Sequence, residues 1–354
     1  TFLKTKNFLD IFFFFISSLI YITDLKKFTF LILFTRIYIN HLKFKNFLNE
    51  FKFLKIALID YDFLCPKFYF FSLVTRSIKI VSYQERPVIY KYKNWTLYLD
   101  YYFTISKYYS DKLKNNNSHF IKNKIIVGFH HFDKIINRQK DKEIKFDKRK
   151  KSILLLGYPF DFNQQASNLS ICTNISSNIS FIHECIKICH QFKNVNFYLT
   201  FKNNDWQKNK KKLGIINKKI IKTKNLKVLD DKYSYDFRNQ FLITKCDLII
   251  GKPSTIMDQC IFIKKPCLIH EFNHNMKKQQ SKFTNYNESY LYCNDISELT
   301  VKTENFLNNK NFLQKKVNKV YKLLFDDKIS TGLVDHKQII LKELNKIIHN
   351  RINK

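Results

Sequence analysis

The clearest indication of the fold lies in residues Cys246 to His274, which read CDLIIGKPSTIMDQCIFIKKPCLIHEFNH. An apolar run over Asp247–Ile250 predicts a buried strand, and Gly251 begins a turn. A short apolar helix follows, and the run over Pro266–Ile269 predicts a second buried strand. A strand–turn–helix–strand unit of this kind belongs to open α/β sheets, which bind ligands at the carboxyl ends of their strands.

The predicted turn and helix offer a site for a phosphate group. Ser254 and Thr255 stand at the start of the helix, where the first backbone N–H groups have no partner within the helix. Such N–H groups, with a hydroxyl beside them, bind phosphate readily. We therefore assign Gly251, Ser254 and Thr255 to phosphate binding, and the stretch predicts an enzyme that acts on a nucleotide-linked sugar or alcohol.

Strands and helices alternate along the rest of the chain with short connections, as in a parallel sheet. Strands are predicted at 55–60, 78–83, 101–106 and 124–128, and then at 152–156, 195–201, 226–229, 247–250, 267–270 and 290–293. A charged linker, Asp141–Lys151, separates the two series. We expect an α/β fold of two doubly wound, Rossmann-like domains that face a cleft, over 1–145 and 151–335, with a helix over 336–354 that crosses back to the first domain. No strand is predicted before residue 11, so we expect an incomplete first domain with a helical start.

The chain of 354 residues is strongly basic, with a net charge of +33 at pH 7. Its content of 45% hydrophobic and 16% aromatic residues excludes disorder on a large scale. A basic surface attracts polyanions such as nucleic acid, anionic lipid headgroups or phosphorylated substrates. Nucleic acid is disfavoured, because the aromatic residues fall in apolar segments and are not interleaved with basic residues on one face.

The 8 cysteines form no CxxC pair, and several lie within or beside apolar segments. Thiols in such segments behave as small core residues. Cys185 and Cys189 are one helical turn apart, but a zinc site needs two further ligands that converge on them. We therefore expect no metal site, and we expect reduced thiols in the cytoplasm.

The N-terminal segment is apolar but interrupted by charges. Ile11–Thr23 carries no charge, and a second apolar run over Phe28–Thr35 ends at Arg36. Because a membrane-spanning helix needs about 20 apolar residues, neither run predicts a span. We expect two helices that are buried in the protein. The alternative is a peripheral contact at the inner face of the membrane, where basic flanks meet anionic lipids.

The segment from Ser254 to Asp258, followed by Lys265 and Pro266, resembles a pattern in one group of GT-B glycosyltransferases. The group contains CDP-glycerol glycerophosphotransferase-like enzymes and other surface or capsular polysaccharide biosynthesis proteins. The resemblance implies an acceptor-side first domain and a donor-binding second domain. It also implies that Ser254 and Thr255 hold the donor diphosphate while Asp258 helps to place the ribose. The residues alone allow another interpretation, in which Ser254 only caps the helix and Asp258 only complements the helix dipole.

Further candidate residues follow the predicted strands of the second domain. Gly157 lets the backbone approach a phosphate closely, or it forms a plain turn. Lys202 ends the strand over 195–201, at a place where relatives in the group often carry a histidine. This chain has no histidine there, so the acid–base role of that histidine is not transferred to it. Glu271 and His274 follow the strand after the helix, and we expect them to contact the nucleotide base or sugar.

In the first domain, Glu85 and Arg86 follow a predicted strand and are expected at the cleft. Relatives in the group often carry a histidine in this region, whereas this chain has Glu85 and Arg86. A carboxylate with a raised pKa suits the general base of an inverting transfer, and Arg86 suits the binding of a phosphate through two hydrogen bonds. The alternative is that both residues form ion pairs in a loop.

These residues predict a cytoplasmic transferase of the GT-B type that acts in surface or capsular polysaccharide biosynthesis. It would move a glycosyl or glycerophosphoryl unit from a nucleotide-activated sugar or a CDP-glycerol-like donor to a saccharide or lipid-linked acceptor. NAD chemistry and ATP hydrolysis are disfavoured, because neither a G-x-G-x-x-G nor a Walker-type loop is present, and no cofactor is expected. The alternatives are a nucleotide-sugar epimerase of related fold and a catalytically degenerate basic binding protein.

Overall fold

The structure is a computed structural model, and it describes a large part of the chain. The described residues are 5–19, 25–59, 66–84, 97–114, 119–129, 147, 149–157, 175–201, 211, 213–229, 235–270, 290–325 and 335–352. Most of the predicted linker Asp141–Lys151 lies outside these residues.

Two helices open the chain, α1 (Thr5–Leu19) and α2 (Leu25–Asn49). They pack on each other through the rings of Phe14 and Tyr38, which stack with their centroids 4.6 Å apart. No helix in the described residues is both long and apolar enough to cross a membrane. The prediction that the two helices are buried is wrong for one face of each, because Phe12 on α1 and other large apolar side chains are exposed to solvent.

The first sheet has four parallel strands in the order β1-β2-β3-β4. Its elements in chain order are β1 (Ile56–Ile59), α3 (Lys67–Val74), β2 (Lys79–Tyr83), β3 (Tyr98–Thr104), α4 (Lys107–Lys114) and β4 (Phe120–Ile126). Side chains of Ile80, Val81 and Phe103 are buried on these strands, as expected where helices cover a parallel sheet. The four strands predicted for the first domain are confirmed, with ends that differ by up to four residues.

The second sheet has six parallel strands in the order β10-β9-β8-β5-β6-β7. Its elements are β5 (Ser152–Leu156), α5 (Ile175–Gln191), β6 (Asn196–Thr200), α6 (Gly214–Lys222), β7 (Leu226–Val228), α7 (Tyr235–Lys245), β8 (Leu248–Gly251), α8 (Thr255–Phe262), β9 (Cys267–His270) and β10 (Tyr292–Cys293). Every residue of the central strand β5 is buried, which explains its continuous apolar sequence. The six predicted strands are all present, with ends that differ by one or two residues.

The register of the two central strands is fixed at their amino ends by Asp247. Its carboxylate oxygen Oδ2 accepts hydrogen bonds from the backbone N–H of Ser152 at 2.9 Å and from the Ser152 hydroxyl at 3.0 Å. Because this contact ties β5 to β8 directly, the opposite ends of the same two strands are held side by side.

The described cysteines are core residues, as predicted. Those that are buried as free thiols are Cys185, Cys189, Cys246, Cys260, Cys267 and Cys293. Burial raises the pKa of the Cys246 and Cys293 thiols to about 12, so both are protonated at neutral pH. Thiols in this state are poor nucleophiles and act through packing.

Three helices end the described chain: α9 (Ile296–Asn308), α10 (Lys310–Phe325) and α11 (His336–Ile352). Ile347 on α11 packs into a buried cluster with Val81, Phe103 and Val127 of the first sheet. The last helix therefore lies against the first sheet, although it follows the second sheet in sequence.

The carboxyl edge of the first sheet faces the second domain. Phe129, just after β4, packs edge-on against Phe262 of α8, with the ring centroids 6.1 Å apart. The Ser106 hydroxyl, just after β3, donates a hydrogen bond to the backbone carbonyl of Leu324 in α10. These contacts place the strand ends of the first sheet next to α8 and α10.

Candidate functional site

The strand order of the second sheet creates a crevice between β5 and β8. From β5 the chain runs outward to β6 and β7, and it then returns to build β8, β9 and β10 on the other side. Leu156 pairs with Gly251 at the carboxyl ends of the two central strands. In open α/β sheets the point where the strand order reverses is where ligands bind, so this pair marks the candidate site.

Both glycines at this point are required by close packing. A Cβ atom on Gly157 would lie 2.5 Å from two ring carbons of Phe201, a distance that real Cβ contacts do not show. A Cβ atom on Gly251 would lie 2.9 Å from the Cβ of Leu156 and 3.1 Å from the Sδ of Met257. The backbone N–H of Gly157 donates to the carbonyl of Thr200 at 2.9 Å, which fixes the turn after β5. Steric crowding by Phe201 thus explains why residue 157 is a glycine, whether or not a phosphate approaches it.

The N-terminus of α8 carries the predicted phosphate site. Ser254 takes the N-cap position with an extended backbone (φ −159°, ψ 165°), and its carbonyl accepts the N–H of Asp258 at 3.1 Å. Its hydroxyl, however, makes no capping hydrogen bond to the helix. Ser254 and Thr255 are only half-buried. The capping interpretation therefore explains the backbone of Ser254 but leaves its hydroxyl available to a ligand beside the first N–H groups of the helix.

Asp258, predicted to face the cleft, has a side chain that is 1% exposed. Burial raises the pKa of the Cys260 and Cys267 thiols, and the negative charge of Asp258 raises both pKa values further. Asp258 therefore lies inside the domain, one helical turn below Ser254.

Gln259 is a candidate that sequence reasoning missed. It is buried, and its side-chain oxygen Oε1 makes no hydrogen bond to any described residue. Buried polar atoms are normally paired, because an unmade hydrogen bond costs about 1–3 kcal/mol. Gln259 follows Thr255 by one helical turn, so both residues lie on the same face of α8. The spacing of Thr255 and Gln259 was visible in the sequence. An uncharged amide, however, gave no reason to choose Gln259 over Asp258 as a site residue.

Lys252 and His270 add a buried cation and a neutral imidazole at the carboxyl ends of β8 and β9. Burial lowers the pKa of His270 to about 3, and the positive charge of Lys252 adds to the effect. The imidazole is therefore neutral at physiological pH, and it packs edge-on against the ring of Phe181. The sequence analysis predicted site residues only in the loop after His270. The position of Lys252 directly after Gly251 could also have indicated a site residue.

No group of three or more histidine, cysteine, aspartate or glutamate side chains within the described residues is arranged to hold a metal ion. Lys252 is buried directly after β8, and its positive charge helps to lower the pKa of His270. A lysine near a helix N-terminus favours an anionic ligand by both its own charge and the helix dipole.

The fold has counterparts among solved structures. The UDP-GlcNAc 2-epimerase from Neisseria meningitidis, bound to UDP-GlcNAc, matches with a TM-score of 0.54 and 12% identity over 92% of this chain and 82% of that one. S. aureus MnaA in complex with UDP matches with a TM-score of 0.55 and 11% identity over 88% and 79%. The wall teichoic acid polymerase TagF has a TM-score of 0.47 and 11% identity over 90% and 98%. No protein-family model and no curated protein sequence matches the chain.

The protein has the GT-B fold. In this fold two Rossmann-like domains each present the carboxyl edge of a parallel sheet. Three strand ends at these two edges lead into segments outside the described residues. Gln84 follows β2 and is buried, with its Oε1 accepting the N–H of Ile105 at 3.2 Å. Phe201 and His270 hold the corresponding positions at the ends of β6 and β9. Each is the last described residue before a segment that carries predicted site residues.

Five of the predicted site residues lie outside the described residues. They are Glu85, Arg86, Lys202, Glu271 and His274. The predicted residues that the structure brings together at the crevice are Gly157, Gly251, Ser254 and Thr255, with Asp258 buried one helical turn away.

Proposed function

We propose that the protein is a GT-B enzyme that binds a nucleotide-diphosphate donor at the crevice between β5 and β8. It would transfer a glycosyl or glycerophosphoryl unit to a saccharide or lipid-linked acceptor in the synthesis of a surface or capsular polysaccharide. The observation that carries the proposal is the N-terminus of α8, where the Ser254 hydroxyl is not used as a cap and lies at the point of strand-order reversal.

The donor diphosphate suits the start of α8. The first N–H groups of the helix have no partner within the helix, and the hydroxyls of Ser254 and Thr255 stand beside them. Phosphate at a helix N-terminus gains both hydrogen bonds and a favourable interaction with the helix dipole. Lys252 would contribute a full positive charge in a buried setting, where charge–charge attraction is stronger than in water.

The nucleoside of the donor would extend from the diphosphate along α8. Gln259 lies on the same face of the helix as Thr255, and its carboxamide oxygen makes no hydrogen bond within the described residues. A ribose hydroxyl or a base N–H would satisfy that oxygen. Asp258 remains a second candidate for the ribose, and contact would require its buried carboxylate to become accessible when the donor binds.

The catalytic step would fall to residues at the carboxyl edge of the first sheet. We retain Glu85 as the general base for the acceptor hydroxyl and Arg86 as a phosphate ligand. The support is chain connectivity: Gln84, the residue before Glu85, is fixed at the end of β2 by its hydrogen bond to Ile105. Lys202, Glu271 and His274 remain proposed donor contacts on the same grounds, since Phe201 directly follows β6 and His270 ends β9.

A nucleotide-sugar epimerase is the second candidate. Its support is that two of the matched structures above TM-score 0.5 are a UDP-GlcNAc 2-epimerase bound to UDP-GlcNAc and MnaA with UDP. Both candidates place a nucleotide diphosphate at the same crevice. They differ in the acceptor: an epimerase converts its nucleotide sugar alone, whereas a transferase releases the nucleotide only when an acceptor is present. We propose a cytoplasmic location for either enzyme, in keeping with the free thiols of the described cysteines.

A donor panel tests the proposal. UDP, CDP, GDP, UDP-GlcNAc and CDP-glycerol would each be added to the protein and the melting temperature measured. Saturation at a hundredfold excess over Kd should stabilise the folded state by about 2.7 kcal/mol. Lack of stabilisation by every compound would reject the donor site. NMR of UDP-GlcNAc incubated with the protein alone would then separate the two candidates, because only an epimerase would form the C2 epimer without an acceptor.

A further inference from the structure

One face of α1 is apolar and exposed. Leu9, Phe12, Phe13 and Ile16 have side chains that are between 45% and 65% exposed. Their spacing of three, four and seven residues places them on one side of the helix. Phe14 points to the other side, where its ring stacks on Tyr38 of α2. The exposed stripe on α1 therefore faces away from its partner helix.

The partner helix α2 has a second exposed apolar face. Leu33, Phe34 and Ile37 are between 40% and 57% exposed. Further along α2, Leu42 and Leu48 are buried, and α2 packs against α3. Soluble monomers seldom expose apolar side chains in groups of this kind without a binding partner. The helical pair thus presents apolar surface that no other described part of the chain covers.

Basic residues accompany this surface. Arg36, Lys43 and Lys45 on α2 are exposed, as are Lys52 and Lys55 directly after it. Against these five cations, the acidic residues whose side chains are described over the same segment are Asp10, half-buried, and Glu50, exposed. The charge complements an anionic partner.

We propose that the α1–α2 helical pair, together with its exposed cations, docks on the surface of an anionic phospholipid bilayer. The apolar stripe of α1 would enter the boundary between headgroups and acyl chains, and the cations would contact the lipid phosphates. At 15 residues α1 is about 22 Å long, which suits a helix that lies in the plane of the interface. A second copy of the chain is the weaker occupant, since two surfaces from molecules of net charge +33 repel each other.

Vesicle sedimentation with the full chain tests the proposal, and it needs neither donor nor acceptor. The full chain should bind vesicles that contain roughly 30% phosphatidylglycerol, and it should bind pure phosphatidylcholine vesicles at least about tenfold more weakly. The double variant Phe12→Asp with Phe13→Asp should weaken binding to the anionic vesicles by about tenfold or more. The matched control changes two exposed isoleucines on α6, Ile215→Asp with Ile221→Asp, and should bind as the natural chain does.

A second variant guards against misfolding of α1. Lys43→Glu with Lys45→Glu changes exposed side chains on α2 only, and it should also lower the affinity for anionic vesicles by about tenfold. Equal binding to both vesicle types, or unchanged binding by both the α1 variant and the α2 variant, would overturn the proposal. So would a finding, by sedimentation equilibrium, that the natural chain is a dimer which Phe12→Asp with Phe13→Asp converts to a monomer without any change in vesicle binding.

Discussion

The contact between Phe201 and the turn at Gly157 makes Gly157→Ala a sharp probe of the crevice. The added methyl group would lie 2.5 Å from two carbons of the Phe201 ring, about 1 Å inside ordinary van der Waals distance. Phe201 is buried, so its ring has little room to move. Overpacking of this kind costs about 1–3 kcal/mol. Because 1 kcal/mol shifts the melting temperature of a domain this size by about 2–4 °C, we expect a decrease of about 2–12 °C.

The assay is thermal unfolding followed by circular dichroism, with two further variants for comparison. Phe201→Leu should be destabilising alone, but it should make room for the new methyl group. The loss in the free energy of unfolding of the double variant should therefore be smaller than the sum of the two single losses, by about 1 kcal/mol or more. Gly214→Ala is the matched control: no atom lies within 4 Å of its added Cβ, and its stability should not fall. Strict additivity of Gly157→Ala and Phe201→Leu, or equal losses at Gly157 and Gly214, would refute the steric argument.

Three further predictions concern charge and catalysis. Lys252→Met should weaken donor binding by about tenfold or more, since hydrogen bonds to charged groups contribute about 1.5–3 kcal/mol; isothermal titration calorimetry should show unchanged affinity if Lys252 plays no part. His270 has a pKa lowered from 6.5 to about 3 in the folded state, so the unfolded state binds the proton more readily and stability should fall as the pH drops from 6.5 towards 3. His270→Phe should flatten that dependence of the melting temperature, and an equally steep acid loss in the variant would assign it to other groups. Glu85→Gln should abolish turnover while leaving donor affinity within about twofold, as expected for a general base; retained turnover would remove Glu85 from the mechanism.

The sheet strands could be predicted from the sequence because their signal is local. The run over Ser152–Leu156 is apolar throughout, and in the structure it is the fully buried central strand β5. The turn at Gly251 and the helix start at Ser254 were likewise fixed by glycine, proline and hydroxyl residues that act within a few positions. These local rules also gave the alternation from which two parallel sheets follow.

What the sequence did not predict depends on contacts distant along the chain. The stripe at Phe12 and Phe13 has the spacing of a buried helix face, and the local pattern does not show that both rings are exposed in the structure. Gln259 is buried by the packing of α8 in the assembled domain, and Lys252 lies close to His270 because β8 and β9 pair. Asp258 was expected to face the cleft because of its charge and spacing, yet its side chain is buried, and its charge adds to the rise in the pKa of Cys267.

A crystal structure of the protein with UDP would show whether a nucleotide diphosphate binds at the start of α8. We expect the diphosphate within hydrogen-bonding distance of the Thr255 N–H and the Ser254 hydroxyl, beside the ends of β5 and β8. A nucleotide bound elsewhere, with the start of α8 in contact only with the protein itself, would rule out a donor site at this helix.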